Sequence, residues 1–353
     1  MRAALLCSGA AAWLAAAFPA YAADPGDNLI RAVAAGRTTT YEGVVVYHGG
    51  DELDVLQLQH RYKDGSERSR LVSQSGDPRQ LIRIDNRLIC ILPKDQAVRM
   101  ELPSSVPGFL SQLTAERLQQ LAQWYEFRDL GAGRVAGRSC KGVAVVPRDE
   151  FRYGYEVWAD QDSGVPLKMS LIGQHGEVLE QVMFTQVSFP PTIPDNVFEA
   201  ADVDPAKFNV VSSLLPSLDA AFDPGRPQVS FESLPPGFRV VAREEHPLPN
   251  GQNGKVEHLL LSDGLSSVSV FSAIEHAPAS KAFLSRLGAT EAYGREAGSY
   301  HITIVGEVPT PAIRMIGDGV RPILSFQTPA AEPSSPPAGA PPASAVPVTT
   351  PAQ

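Results

Sequence analysis

The sequence predicts an α+β protein: an antiparallel β-meander with helices on one side, followed by a smaller unit of mixed strands and helices. Three observations carry this. Runs that alternate apolar and polar residues meet at two-residue turn signals, Asp64-Gly65, Ser163-Gly164 and His175-Gly176. Only short stretches show apolar residues at helical spacing. A proline-rich interval divides the 353 residues into two regions, each long enough to bury a core of its own.

Met1 to Ala22 holds one cation, Arg2, an apolar run from Ala10 to Phe18 and the small-x-small triplet Ala20-Tyr21-Ala22, the pattern of a secretory signal peptide cleaved before Ala23. Its apolar run is shorter than the roughly 20 residues a spanning helix needs. Cys7 precedes that run, whereas a lipid-modified cysteine should follow it.

From Pro25 to Gly36, Leu29, Ile30 and Val33 form a helical face that feeds the β-branched run TTTYEGVVVYHGG. VLQLQHRYKDGSERSRLVS is a hairpin about Asp64-Gly65, and LIRIDNRLICIL repeats the pattern about Asp85-Asn86. Leu118, Leu121 and Ala122 mark a short helix between Thr114 and Trp124, which Gly131 to Gly133 cannot continue. YGYEVWADQDSGVPLKMSLIGQHGEVLEQVMFTQVSF supplies three strands.

The first domain is therefore expected over 23–212 and a linker over 213–228, where prolines recur and periodicity fades. A second domain over 229–323 has strands in GFRVVARE, KVEHLLLS, LSSVSVFSAI and SYHITIVGEV, with helices over Ala279–Leu287 and Pro311–Gly317. Residues 324–353 are almost wholly Pro, Ala, Ser, Thr and Val, a composition that predicts a disordered tail.

The formal charge is −9 from 30 basic and 39 acidic residues; loss of Arg2 with the leader leaves 29 against 39, or −10. Such a balance gives no generic affinity for nucleic acid. Cys90 and Cys140 remain after the leader, either as a disulfide or as two buried thiols; neither belongs to a CxxC pair, so redox catalysis is not indicated. In Glu245-His246, Glu257-His258 and Glu275-His276, neighbours on a strand point to opposite faces, so none can jointly bind a metal. No zinc-ligand spacing, phosphate-binding glycine loop, dinucleotide fingerprint or nucleophile elbow occurs, so no cofactor is implied. A noncontiguous triad, such as a serine with His258 and Asp263, stays open because triads are defined by geometry.

A two-residue turn at Asp64-Gly65 sets Arg61 opposite Arg68, and Arg61, Lys63, Arg68 and Arg70 on one face. Opposed like charges need water or an anion between them. From Arg61 to Arg99 there are nine basic and five acidic residues. This face is either a solvated edge guarded by cations or a docking surface for an acidic peptide or lipid phosphate. On the other face lie His60 and Tyr62, which with Tyr153, Tyr155, Trp158, Met169, Met183 and Phe184 fill a compact core or line an apolar groove for acyl chains.

RVAGRSCKGVAVVPRDEFRYGYEVWADQDSGVPLKMSLIGQHGEVLEQVMFTQV resembles the core of the periplasmic MucB/RseB family of sigma-E regulators, and LPPGFRVV, SDGLSSVSVF and ITIVGEVP resemble that family's second domain. The resemblance extends to about Ile323; the tail departs from it. It implies an unclosed antiparallel β-barrel similar to the lipoprotein carriers LolA and LolB, with helices on one side, plus a smaller α/β C-terminal domain. It also implies a regulator that binds the periplasmic domain of a MucA/RseA-type anti-sigma factor through its C-terminal domain, shields it from regulated proteolysis, and releases it on lipid or lipopolysaccharide signals. The runner-up is a LolA-like carrier of lipoproteins or glycolipids. The oligomeric state, a homo-oligomer included, is left open.

Overall fold

The computed structural model describes residues 24–85, 87–93, 114–199, 208–214, 227–247, 255–274 and 282–323. The expected signal peptide, the tail, Asn86, Glu275-His276 and most of the linker lie outside them.

Asp24 accepts a hydrogen bond from the Gly26 amide at 2.7 Å and Pro25 takes the first helical position, so α1 (Pro25–Thr38) begins where a cap and a pre-set φ favour it. α2 (Ala115–Leu121) is capped by Thr114, whose hydroxyl accepts from the Arg117 amide at 3.2 Å. Leu29 and Val33 of α1 and Leu118 and Leu121 of α2 enter one buried cluster, which follows from their spacing.

Eleven strands form the first sheet: β1 (Tyr41–Gly49), β2 (Glu52–Lys63), β3 (Ser66–Ser73), β4 (Gln80–Ile84), β5 (Arg87–Pro93), β6 (Tyr125–Val135), β7 (Arg138–Pro147), β8 (Gly154–Asp160), β9 (Pro166–Ile172), β10 (Val178–Ser188) and β11 (Phe208–Leu214). The order is β11-β5-β4-β3-β2-β1-β10-β9-β8-β7-β6, antiparallel throughout; among the described residues β11 and β6 are left as edges, and the sheet curls without closing. α1 touches β2, β6, β7 and β9, strands far apart in that order, so it sits inside the curl. Asp64 and Gly65 both take positive φ, the conformation a type I′ hairpin requires. The register is the expected one: Lys63 faces Ser66, Arg61 faces Arg68 and Gln59 faces Arg70.

The second domain pairs β12 (Val229–Phe231) with β19 (Val320–Pro322) and builds a six-stranded antiparallel sheet from β13 (Arg239–Pro247), β14 (Lys255–Ser262), β15 (Ser267–Ile274), β16 (Phe283–Leu287), β17 (Thr290–Ala297) and β18 (Tyr300–Gly306), in the order β13-β14-β15-β18-β17-β16. α3 (Thr310–Gly319) packs Ala312, Ile313 and Ile316 with Leu259, Leu261, Val268, Val270, Ile302 and Ile304 on one face.

The helix expected over Ala279–Leu287 does not form. Residues 279–281 lie outside the described residues, and Phe283 to Leu287 are strand β16, paired with β17 from Phe283↔Gly294 to Leu287↔Thr290. Apolar residues at 283, 284 and 287 fit helical spacing. Pairing overrides it: the Phe283 ring lies so close over Gly294 that a Cβ there would come within 2.1 Å of it.

Candidate functional site at the hairpin and the domain seam

The four expected cations of the β2–β3 hairpin take different roles. Arg61 is only 5% exposed: Nη1 donates to the Ile193 carbonyl and Nη2 to Asp195 Oδ1, each at 2.5 Å, and the guanidinium lies 5.1 Å over the Phe198 ring. Arg68 Nη1 donates to the same Asp195 oxygen at 2.9 Å. The anion that opposed arginines demand is thus the chain's own, carried on a 3-10 turn at Asp195–Phe198. Hydrogen bonding by Arg61 and the charges of Arg61, Arg68 and Lys63 hold the Asp195 carboxyl below its usual range. Arg70 donates to Gln80 Oε1 at 2.8 Å, while Lys63 is exposed. Of the four, Arg61 is closed to an outside ligand because its fork is filled from within.

The apolar set is distributed over packed cores. Tyr153, Tyr155 and Met169 join the cluster under α1 and α2. Phe184 belongs to a second cluster with Tyr41, Val45, Leu58 and Leu167. Trp158 lies three residues from Tyr155 on β8, so alternation turns it to the opposite face; there its ring covers Gly133 and Gly142, where any Cβ would collide with it. Tyr62, near the hairpin end, is partly exposed. These residues do not line one open groove.

Cys90 and Cys140 are free, buried thiols on β5 and β7, so of the two expected alternatives the structure has the unpaired one. The serine–His258–Asp263 triad is not assembled: His258 Nε2 lies 2.9 Å from Ser269 Oγ, while Asp263 is engaged elsewhere.

That engagement is the centre of a site the sequence did not announce. Arg152, fully buried, donates from Nη1 to Asp263 Oδ2 at 3.0 Å, from Nε to Asp149 Oδ1 at 3.1 Å and from Nη2 to the Pro236 carbonyl. Its guanidinium is enclosed by the rings of Trp124, Tyr125 and Phe238 at 5.4–5.5 Å. The Tyr125 hydroxyl donates to Asp263 Oδ2 at 3.1 Å, and Asp263 Oδ1 accepts from the amides of Leu265 and Ser266. Burial pushes the Asp263 carboxyl up, against the opposing pull of Arg152 and these donors. Gly237 has φ +83° and abuts the Trp124 indole, where a Cβ would lie 2.5 Å from Nε1. Leu265 and Ala289 complete the first domain's main cluster from the second domain. Asp263-Gly264 is legible as a turn. Its partner, 111 residues earlier, is not.

The arrangement joins and orients two domains. Comparison with known proteins places both halves. Residues 24–202 match the MucB/RseB N-terminal domain, and residues 224–321 match the MucB/RseB C-terminal domain. The chain belongs to the MucB/RseB family. It is 31% identical over 328 residues to the sigma factor AlgU regulatory protein MucB of Pseudomonas aeruginosa, covering 87% of this chain and 93% of that one. It is 27% identical over 289 residues to the sigma-E factor regulatory protein RseB of Escherichia coli K12, covering 81% and 87%. A crystal structure of MucB in complex with MucA(peri) superposes with a TM-score of 0.68 at 29% identity, covering 86% of this chain and all of that one. In MucB/RseB terms, the Arg152–Asp263 bond ties the N-terminal domain to the C-terminal domain.

Proposed function

We propose that this MucB/RseB chain is a periplasmic binding protein, not an enzyme. It holds the periplasmic part of a membrane-anchored anti-sigma factor, shields it from regulated proteolysis and so restrains a sigma-E-type envelope stress response. Lipid or lipopolysaccharide is the releasing signal. The observation that carries this reading is the match over both domains, in order, to a protein crystallised with MucA(peri). The LolA-like carrier alternative draws on the first domain alone. Against it stands an inner face filled by Tyr153, Tyr155 and Met169 and stoppered by Leu265 and Ala289.

A releasing lipid must bind the partner-free state more tightly than the complex, and by linkage the partner must weaken lipid binding by the same factor. Titration calorimetry of the mature chain with the MucA periplasmic domain, with and without lipopolysaccharide, tests this. A stoichiometric complex, slower proteolysis of the bound domain and reciprocal weakening are expected. Absence of any complex would sink the regulatory reading; independent binding of the two ligands would sink the release step.

A further inference from the structure

We propose that β16 is a docking edge: an extended partner segment adds to the second sheet as a seventh strand and continues across the domain seam onto the first domain. This rests on the partner-binding reading above and says where the partner lies.

Among the described residues, the second sheet ends at β13 on one side and β16 on the other. β13 carries the usual safeguards of an edge: a bulge between Val240 and Ala242, the charges Arg243, Glu244 and Glu245, and a terminal Pro247. β16 has neither bulge nor proline, and a single charge. It reads Phe-Leu-Ser-Arg-Leu without a bulge and is exposed at every position, with Phe283 42%, Leu284 39% and Leu287 85% exposed. Its one charge, Arg286, is turned back onto its own hairpin, donating to the Gly288 carbonyl at 3.0 Å. An unguarded apolar edge of this kind offers unpaired backbone groups to another chain.

The edge leads toward the first domain. After Leu287, Gly288 meets the β1–β2 turn, where a Cβ on Gly50 would stand 3.5 Å from the Gly288 Cα. Beyond that contact Asp51 and Glu52 are exposed and Leu53 is 62% exposed. Val178, 47% exposed, stands two residues before Glu180, the partner of Gly49. Exposed aliphatics of both domains therefore flank one backbone contact.

Size selects the occupant. Five residues at about 3.4 Å each give an edge of about 17 Å. Two such edges paired in a dimer would cover far less than the roughly 1,200 Å² of a stable interface. An extended segment is not confined to β16 and gains area by running on to Leu53 and Val178. The matching chemistry is a strand with alternate apolar side chains, followed by Lys or Arg toward Asp51 and Glu52.

The test uses the full mature chain and the MucA periplasmic domain as probe. Hydrogen exchange should slow at residues 283–287 on binding. L284K/L287K should weaken binding at least tenfold with an unchanged melting temperature, and L53K should weaken it about threefold or more. I274K, at an exposed apolar position of β15, serves as the control and should stay within twofold of the parent. Unchanged exchange at 283–287 together with parental affinity of L284K/L287K would overturn the proposal while leaving the regulatory reading intact. Concentration-dependent protection of β16 without MucA would assign the edge to a second copy and also overturn it. Failure of the unsubstituted chain to bind MucA at all removes the functional reading, and this proposal with it.

Discussion

Asp160 shows how a single side chain closes a turn. Its carboxylate is almost wholly buried, accepts from Arg138 Nε at 2.7 Å and Nη2 at 3.1 Å, and accepts from the amide and hydroxyl of Ser163 at 2.8 and 2.7 Å. Burial alone would raise its pKa, but the Arg138 and Ser163 hydrogen bonds and the Arg138 charge outweigh it and hold the carboxyl below its usual value. A native value below the unfolded one means the stabilisation is full above the unfolded carboxylate value and is lost as pH falls through the native value. D160N should therefore cost roughly 1–3 kcal/mol at pH 7, and the gap from the parent should narrow below about pH 4. Urea unfolding at pH 7 and pH 3 checks this; a gap that stays constant would contradict it. The Ser163-Gly164 turn was readable in advance, because Gly164 takes the positive φ such turns need. The Arg138 partner, 22 residues away, had no local signal.

At the scale of elements, legibility followed the strength of local patterning. The Asp64-Gly65 hairpin, its register, α1 and α2 were readable because turn chemistry, caps and periodicity agree there. β6 (YEFRDLGAGRV) was missed because its glycines argue against a strand, yet Gly133 is the space that the Trp158 ring occupies. β16 was misread as helix because its apolar residues satisfy helical spacing and its partner β17 is largely polar. The opposed arginines announced a need for an anion, but Asp195 lies 127 residues beyond Arg68 in sequence, so only the fold supplies its identity. The turn at Asp195–Phe198 is thereby pinned to the hairpin. D195A should lower the urea midpoint and expose the 190–199 segment to limited proteolysis, whereas D195E should largely preserve both. Identical cleavage of D195A and the parent would show that the pin does not hold the turn.

On the scale of the whole molecule, the two domains share a core and a buried ion pair. Breaking such a pair from one side strands a charge and typically costs about 3–5 kcal/mol. R152M should incur a penalty of that order and split one calorimetric transition into two as the domains uncouple. R152M/D263N, which removes the stranded carboxylate, should recover part of it. A single transition retained in R152M would show that Leu265 and Ala289 suffice to couple the domains.

The placement of Leu265 and Ala289 also bears on how the chain acquires its structure. β1 waits for β10, since Glu42 pairs with Ser188, and the cluster beneath α1 and α2 waits for residues beyond 260. A chain that emerges N-terminus first leaves its larger domain unfinished until most of the polypeptide has followed, with apolar surface uncovered meanwhile. The seam that orients the finished molecule thus also sets the time over which the nascent one needs protection from aggregation.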